Sequence, residues 1–423
     1  MTYRKDTCYS KNLRVSKRFL PLTGLLLSVV ILTGFMNTIS GKTPASQEVW
    51  AGTWSTSPQL VEQRNMPPEP GLSNSTLRQV VCVSIGGENL RVRFSNEFSK
   101  SPVTMKKVQI AVSKGESVID KSTITELKFK GNPEITMDPG VAIISDPVAF
   151  KLTPRMLVAI TIYFGETSPD VTGHPGSRTT SYLISGDKTS EVDLADAAHT
   201  DHWYVIRGID VKAPKSAGVV AILGNSITDG RGSGTNKQDR WPDELAIRLL
   251  NNRRTRNIAV LNQGIGGNCV IRGGLGPTAL SRFDRDVINQ DGVRWLIIFE
   301  GVNDIGGSRG SDAASRVSKG LIEAYNKMID EAHAHGIKVY GATITPFGKS
   351  FYYSPDHEAA RDTVNNWIRT SGRFDAVIDF DKVMRDPQNT ISLLPEAQSG
   401  DFLHPNEKGY VMMGGAVDLK LFK

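Results

Sequence analysis

The chain is poor in cysteine, with three in 423 residues. Cys8 falls in the N-terminal segment, so Cys82 and Cys269 are the two that the folded part would contain. We expect both to be buried free thiols, and one disulfide between two domains is the alternative. No Cys/His spacing typical of zinc is present, so we expect no metal site.

Other features are unexceptional, and they exclude several classes of protein. Hydrophobic residues make up 39% and charged residues 22% of the chain, values that exclude a disordered chain, a coiled coil and a polytopic membrane protein. Glycine and proline are near average usage, and no repeat of 20–50 residues is visible, which excludes collagen-like and low-complexity chains. The length predicts two domains, or three.

Positive charge is concentrated at the N-terminus. The net charge is +6, but six lysines and arginines against Asp6 place +5 within residues 1–41. An uncharged apolar run over residues 19–36 follows, which is the layout of a secretory signal cleaved near Gly41. An uncleaved membrane anchor is the alternative. The remainder is nearly neutral, which excludes nucleic acid as a partner.

Residues 47–210 are rich in predicted strands. Segments such as TLRQVVCVSIGG, ENLRVRFSNEF and RMLVAITIYFG alternate apolar and polar residues or contain β-branched runs, and they are separated by Gly, Asn, Ser and Pro. No clear amphipathic helix occurs here. The pattern predicts an antiparallel β-sandwich or jelly-roll domain. Residues 211–217 are predicted to be a short linker.

From residue 218 to 423 the pattern changes to strands that alternate with helices. The apolar strands GVVAIL, NIAVLN, WLIIFEG, KVYGATITP and AVIDF are short and nearly continuous. Such strands predict a five-stranded parallel sheet covered by helices on both faces, a three-layer α/β/α domain. Functional groups collect at the carboxyl ends of such strands.

Four segments at the predicted strand ends carry chemistry. Ser226 follows the first strand, where a serine can act as a nucleophile or simply cap a helix. A glycine-rich turn, NQGIGGN, follows the second strand and does not form a dinucleotide motif. Asn303 follows the third and can donate to an oxyanion or cap a turn. Asp401 and His404 precede the last helix with the spacing of an orienter and a general base.

Other polar and aromatic residues have simpler interpretations. We interpret His357 as a surface or pocket-rim residue, and Tyr352 and Tyr353 as sugar-stacking or packing residues. Asp379 and Asp381 end the fifth strand and would orient the histidine only if Asp401 pointed away.

In combination, these segments resemble the SGNH hydrolase superfamily, the GDSL-type esterases. GNSITDG resembles the family's first block and implies that Ser226 is the nucleophile. NQGIGGN resembles the second and implies that Gly267 is an oxyanion donor, as GVND implies for Asn303. DFLHP resembles the last block and implies an Asp401–His404 pair.

The resemblance has one departure and extends beyond these blocks. The family usually has Asp before the nucleophile, whereas this chain has Asn225. RWPDELAIRL is similar to secreted bacterial members, and WAGTWSTSP, TLRQVV and LRVRFSN are similar to the β-rich domain that precedes some of their catalytic domains.

The resemblance implies a cofactor-free serine esterase, and the leader predicts its export to the periplasm or the extracellular space. Its expected partner is an ester substrate, most simply an O-acetylated polysaccharide, and its only expected contact with a membrane is an uncleaved 19–36 segment. A lipase, lysophospholipase or thioesterase is the alternative enzyme. An inactive carbohydrate-binding protein is the alternative from another class. Nothing in the sequence indicates the oligomeric state.

Overall fold

The computed structural model describes residues 48–423. The predicted leader, residues 1–41 with the apolar run 19–36, lies outside the described residues. Within 48–423 no helix is both long and apolar enough to cross a membrane.

Residues 48–214 form a β-rich half built from sixteen strands. These strands are β1 (Glu48–Ser55), β2 (Gln59–Leu60), β3 (Ser75–Cys82), β4 (Gly87–Asn96), β5 (Val103–Gly115), β6 (Val118–Ile119), β7 (Thr125–Leu127), β8 (Ile135–Met137), β9 (Val141–Ile144), β10 (Val148–Leu152), β11 (Leu157–Phe164), β12 (Thr172–His174), β13 (Ser181–Ser185), β14 (Ala198–Thr200), β15 (Trp203–Tyr204) and β16 (Ile206–Pro214). Short 3-10 turns cover Gln63–Asn65 and Lys121–Thr123.

The strands of the β-rich half pair antiparallel in two main sheets and one small one. One sheet has the order β1-β16-β4-β10, with β9 also on β4. The larger has the order β14-β13-β3-β11-β5-β6, with β7 and β8 also on β5, and β15-β12-β2 form the third. Alternation builds the core: Val158, Ile160, Ile162 and Phe164 occupy every second position of β11 and are buried in one apolar cluster. The predicted β-rich fold is confirmed.

Residues 218–423 form an α/β half. Its elements are β17 (Gly218–Gly224), α1 (Ser226–Asp229), α2 (Trp241–Leu250), β18 (Ile258–Gly264), β19 (Val293–Phe299), α3 (Val302–Gly306), α4 (Ser311–Ala334), β20 (Lys338–Ala342), α5 (Pro355–Thr370), β21 (Ala376–Ile378), α6 (Phe380–Met384), β22 (Arg385–Asp386), β23 (Asn389–Leu393) and α7 (Glu407–Ala416). A short π-helix covers Asp284–Ile288, and 3-10 turns cover Pro395–Ala397 and Leu419–Leu421.

Five of these strands form a parallel sheet in the order β18-β17-β19-β20-β21. Its two faces are covered by different helices. Leu223 and Ile298 pack with residues of α4 and α5, whereas Ile222 and Ile297 pack with residues of α2 and α7. Burial on both faces explains the continuous apolar strands. The predicted three-layer α/β/α domain is confirmed.

The two halves share buried surface. Val219, Ala259 and Leu261 of the parallel sheet lie in the same apolar cluster as the core of the β-rich half. Ser84 Oγ donates to the Val260 carbonyl at 2.8 Å and accepts from its N–H at 3.2 Å. Residues 211–214, which the sequence analysis assigns to the linker, form the end of β16, because the alternation of the strand continues to Pro214.

Candidate active site

The turn after β17 presents Ser226 at the first position of α1. Asn225 caps this helix, since its Oδ1 accepts from the N–H of Ile227 at 3.1 Å. Gly224 permits the sharp turn, because a Cβ there would lie 2.2 Å from Oγ1 of Thr228. The chain therefore turns sharply where β17 ends and holds the serine at the carboxyl end of that strand.

The segment before α7 brings His404 to this serine. Ser226 Oγ lies 2.9 Å from His404 Nε2, and His404 Nδ1 lies 2.6 Å from Asp401 Oδ2. Asp401 is itself fixed, because its Oδ1 accepts from the N–H groups of Leu403 and His404. A carboxylate only accepts, so Nδ1 carries the proton and Nε2 is left to accept from the Ser226 hydroxyl.

The pKa values of His404 and Asp401 are shifted toward the protonation states that a catalytic triad needs. Burial lowers the pKa of His404 below 6.5; the Asp401 carboxylate opposes this shift and the charges of Arg231 and Arg178 add to it. Burial alone would raise the pKa of Asp401, but hydrogen bonds from His404 and neighbouring N–H groups outweigh it and lower that pKa. A neutral imidazole beside an ionised carboxylate is the resting state of a general base.

Two backbone N–H groups near Ser226 have no acceptor. Within the part of the chain that the structure describes, neither the N–H of Ser226 nor that of Gly267 donates a hydrogen bond. Gly267 adopts φ +71°, a conformation that favours glycine. Both residues line the cleft that contains His404, so both N–H groups are available to a bound anion.

Asn303, in α3, lines the same cleft and is held from both ends of its amide. Its Nδ2 donates to the Asn268 carbonyl at 2.7 Å, and its Oδ1 accepts from the Tyr352 hydroxyl at 3.0 Å. An amide nitrogen has two hydrogens, so one N–H remains for a ligand. The structure thus brings together Ser226, Gly267, Asn303, Asp401 and His404, the five site residues predicted from the sequence.

Residues 222–412 match the model of the GDSL-like lipase/acylhydrolase family, and the match contains all five of these residues in their predicted order. The α/β half of this chain belongs to the SGNH/GDSL hydrolase superfamily. The chain is therefore an ester-hydrolysing enzyme.

Solved structures of low sequence identity are similar to about half of this chain. A GDSL-like lipase from Bacteroides thetaiotaomicron is 21% identical, with 48% of this chain covering 86% of that one and a TM-score of 0.34. The acetyl xylan esterase AlAXEase is 20% identical (47% of this chain, 96% of that chain, TM-score 0.35). TesA is 18% identical (47% and 95%, TM-score 0.37). A search of curated proteins gave no match.

Asn225, the departure from the SGNH pattern, faces a buried carboxyl. Its Nδ2 donates to Glu300 Oε2 at 3.2 Å. Burial raises the pKa of Glu300 to about 8, although Arg282 opposes the shift. An aspartate at position 225 would put two carboxyl groups in contact in a buried site, which is costly unless they share a proton. The Asn225 amide therefore donates a hydrogen bond to Glu300 without adding a second buried carboxyl group.

Sequence reasoning missed a second pair beside Ser226. His174, at the end of β12, contacts Asp229 Oδ1 through Nε2 at 2.9 Å and the Ser57 carbonyl through Nδ1 at 2.9 Å. Asp229 ends the helix that begins at Ser226, and its Oδ2 is buried without a partner among the described residues. The SITDG motif signals Asp229, but no local signal connects it to a histidine 55 residues earlier.

Several other residues singled out in the sequence lie away from Ser226 and His404. Asp379 and Asp381 accept hydrogen bonds from Arg369 and do not approach His404. His357 is buried rather than at the surface, because its ring nitrogens contact the carbonyls of Tyr352 and Ser308. His357 therefore anchors the loop that carries Tyr352.

The two cysteines of the described residues are free and buried, as the sequence predicts. Burial raises the pKa of Cys82 to about 11 and that of Cys269 to about 12. Both are therefore thiols at neutral pH and poor nucleophiles. Residues 48–423 contain no group of three His, Cys, Asp or Glu residues that could hold a metal ion.

Proposed function

We propose that this protein is a serine esterase that hydrolyses acylated carbohydrate, most simply O-acetyl esters of a polysaccharide, through an acyl-enzyme. The observation that carries the chemistry is the continuous hydrogen-bond chain from Ser226 through His404 to Asp401. A serine that donates to a neutral, oriented imidazole is the arrangement of an activated nucleophile.

The reaction has two steps in this proposal. His404 Nε2 takes the proton of Ser226 as Oγ attacks the ester carbonyl, and then gives it to the departing alcohol. In the second step His404 takes a proton from water, the hydroxide attacks the acyl carbon, and Ser226 leaves with that proton. Asp401 stays ionised throughout and stabilises the imidazolium.

The negative charge on the carbonyl oxygen is held by three donors in the proposed mechanism. These are the N–H groups of Ser226 and Gly267, which have no other acceptor among the described residues, and the second N–H of Asn303. Loss of one oxyanion donor typically costs about 3–4 kcal/mol of transition-state stabilisation. Asn303 is the donor whose side chain can be removed to measure this.

The cleft supports a carbohydrate ester better than a long acyl chain. It has a volume of about 450 Å³ and is lined mainly by polar groups. Its large aliphatic and phenyl side chains are Leu275, Phe351 and Leu403. Three such residues do not form the continuous apolar groove that a fatty acyl chain requires. Polar groups around an open cleft suit the hydroxyl-rich leaving group of a sugar ester.

We propose that the enzyme acts outside the cytoplasm, because the sequence of residues 1–41 has the layout of an export signal. Expression in a bacterial host followed by fractionation tests this, with N-terminal sequencing of the exported chain. A mature N-terminus near residue 41 is the expected result. Retention of the intact chain in the cytoplasm contradicts the proposal.

The Ser226→Ala variant tests the esterase mechanism. We expect it to lose nearly all hydrolysis of p-nitrophenyl acetate and all labelling by a fluorophosphonate, because the Ser226 hydroxyl is the group that His404 contacts. We expect the melting temperature to be unchanged. Ser315→Ala is the control, because Ser315 is an exposed residue of α4. An unchanged rate in Ser226→Ala would overturn the mechanism.

A substrate series tests the carbohydrate assignment. Acetate release from acetylated polysaccharides is compared with hydrolysis of p-nitrophenyl esters of two to twelve acyl carbons. Acetate release and a preference for the shortest esters are expected. A strong preference for octanoate, with no release from any glycan, would favour a lipase or thioesterase instead.

A further inference from the structure

Arginine side chains surround the cleft of Ser226. Arg64 and Arg178 reach it from the β-rich half, and Arg231 reaches it from the segment after α1. The adjoining cavity, of about 410 Å³, is lined by Arg272 and Arg309. Together these five residues are called the arginine track.

The two cavities form one continuous depression. Gly267, Asn303 and Tyr352 line both of them. The three arginines of the first cavity and the two of the second are therefore distributed along a surface that passes the oxyanion donors. A polymer with several charged units could contact both groups while one unit occupies the reacting position.

The guanidinium groups of the arginine track have no carboxylate partner. No salt bridge within residues 48–423 involves any of the five; the one hydrogen bond that a side chain of the track donates runs from Arg178 Nε to the Gly230 carbonyl at 2.7 Å. Guanidinium groups are forked donors suited to carboxylate and phosphate oxygens. Four of the five residues are exposed and Arg178 is half-buried, so all can meet a ligand.

The acidic residues of the same two cavities already have donors. Glu62 accepts from Gln59 and Asn65, Asp229 contacts His174, and Asp304 accepts from two backbone N–H groups. These contacts hold the three carboxyl groups within the fold, although Asp229 Oδ2 has no partner among the described residues. Five guanidinium groups against three carboxyl groups leave the two cavities with an excess of positive charge.

This excess of charge is local. Residues 1–47 contain seven of the 50 lysines and arginines and one of the 44 acidic residues, so the remainder of the chain has no net charge. Arg178 and Arg231 lie close enough to the catalytic imidazole for their charges to lower the pKa of His404. An arginine cluster at the reacting centre of a neutral chain indicates a charged ligand more than general basicity.

We propose that the substrate is an acylated acidic polysaccharide, whose sugar carboxylates bind the arginine track while an ester on the same chain reaches Ser226. This inference rests on the proposed function and specifies its substrate class. A phosphate-bearing lipid would satisfy the arginines too, but the few apolar groups of the cleft leave its acyl chain without a site. In an acidic glycan, the carboxylates match the charge of the arginine track and the hydroxyl groups match the polar lining of the cleft.

The test compares one polymer in two charge states. Acetylated polygalacturonate and the same material with its carboxylates converted to amides have equal acetyl content and differ in charge. For the unaltered enzyme we expect kcat/KM for acetate release to be about ten-fold higher on the acidic form at low salt. This ratio should approach one in about 1 M salt, where charges are strongly screened.

Arginine variants locate the effect. Arg64→Gln/Arg231→Gln should reduce the acidic-to-neutral ratio of kcat/KM to about one. The control is Arg253→Gln/Arg256→Gln, which removes the same charge from exposed positions between α2 and β18, at the opposite end of the sheet strands. The control should keep the ratio of the unaltered enzyme. A second readout is the pH profile, because loss of Arg231 should move its acid limb to higher pH and the control should not.

The outcomes separate the two proposals. Equal rates on the acidic and neutral polymers, or a preference that survives in Arg64→Gln/Arg231→Gln, would overturn the acidic-substrate inference and leave the carbohydrate esterase intact. Hydrolysis of lysophosphatidylglycerol with no acetate release from either polymer would overturn both. A preference abolished by the variant and by salt, but kept in the control, would support both.

Discussion

The hydroxyl of Tyr352 offers a test of how Asn303, the proposed oxyanion donor, is positioned. The hydroxyl donates to Asn303 Oδ1 at 3.0 Å, while Asn303 Nδ2 donates to the Asn268 carbonyl at 2.7 Å. Tyr352→Phe removes one of these two restraints and keeps the ring, which packs against Gly306. The amide would then be held from one end, and its free N–H would point less consistently at the oxyanion.

The expected size of the effect follows from the bonds involved. Removing Asn303 altogether should cost about 100- to 1,000-fold in kcat. Tyr352→Phe removes a single neutral hydrogen bond of about 1 kcal/mol, which corresponds to about a five-fold fall in kcat. KM should change little, because the interaction strengthens the transition state rather than substrate binding.

A double-mutant cycle on p-nitrophenyl acetate separates positioning from direct contact. If Tyr352 acts through Asn303, then Tyr352→Phe should have almost no effect in the Asn303→Ala background. Tyr353→Phe is the control, since the neighbouring Tyr353 is exposed. An equal loss in both backgrounds, or a change confined to KM, would refute the positioning role.

Two further predictions concern pH. Because burial lowers the pKa of His404 and catalysis needs the neutral imidazole, the midpoint of the acid limb of kcat/KM should lie below pH 6.5; a midpoint above 6.5 would contradict this. The folded state keeps a proton on Glu300, whose pKa is raised from 4.5 to about 8, so its contribution to stability should decrease as pH rises through that interval and level off above it. Glu300→Gln should make the melting temperature depend less on pH between pH 5 and 8, whereas the exposed control Glu396→Gln should leave that dependence unchanged. An unchanged pH dependence in Glu300→Gln would refute the raised pKa of Glu300.

The placement of the candidate site residues could be predicted from the sequence because each follows a strand or precedes a helix. Parallel strands bring their carboxyl ends to one edge, so Ser226 and Asn303 must lie near each other once the strands are recognised. Asp401 and His404 are three residues apart and reach one another within a single turn. The position of each residue next to a predicted strand or helix was therefore enough to place it.

The supporting contacts could not be predicted, since they join distant segments. His174 reaches Asp229 from another half of the molecule, and the hydroxyl of Tyr352 meets Asn303 across 49 positions. No periodicity links such residues, and each alone has an ordinary structural interpretation. The arginine track could not be predicted either, because its arginines come from separate segments of the chain.

The buried surface between the two halves has a consequence for how such an enzyme can evolve. Arg282, inside the α/β half, donates to Ser57 Oγ of the β-rich half at 2.9 Å, and Leu261 lies in the core of that half. A catalytic module that recombines freely among genes needs a water-compatible surface at its boundary. The boundary here is apolar and hydrogen-bonded, so exchange of the β-rich half for an unrelated domain would expose Leu261 to water and remove Ser57 as an acceptor for Arg282. We therefore expect the two halves to be inherited together.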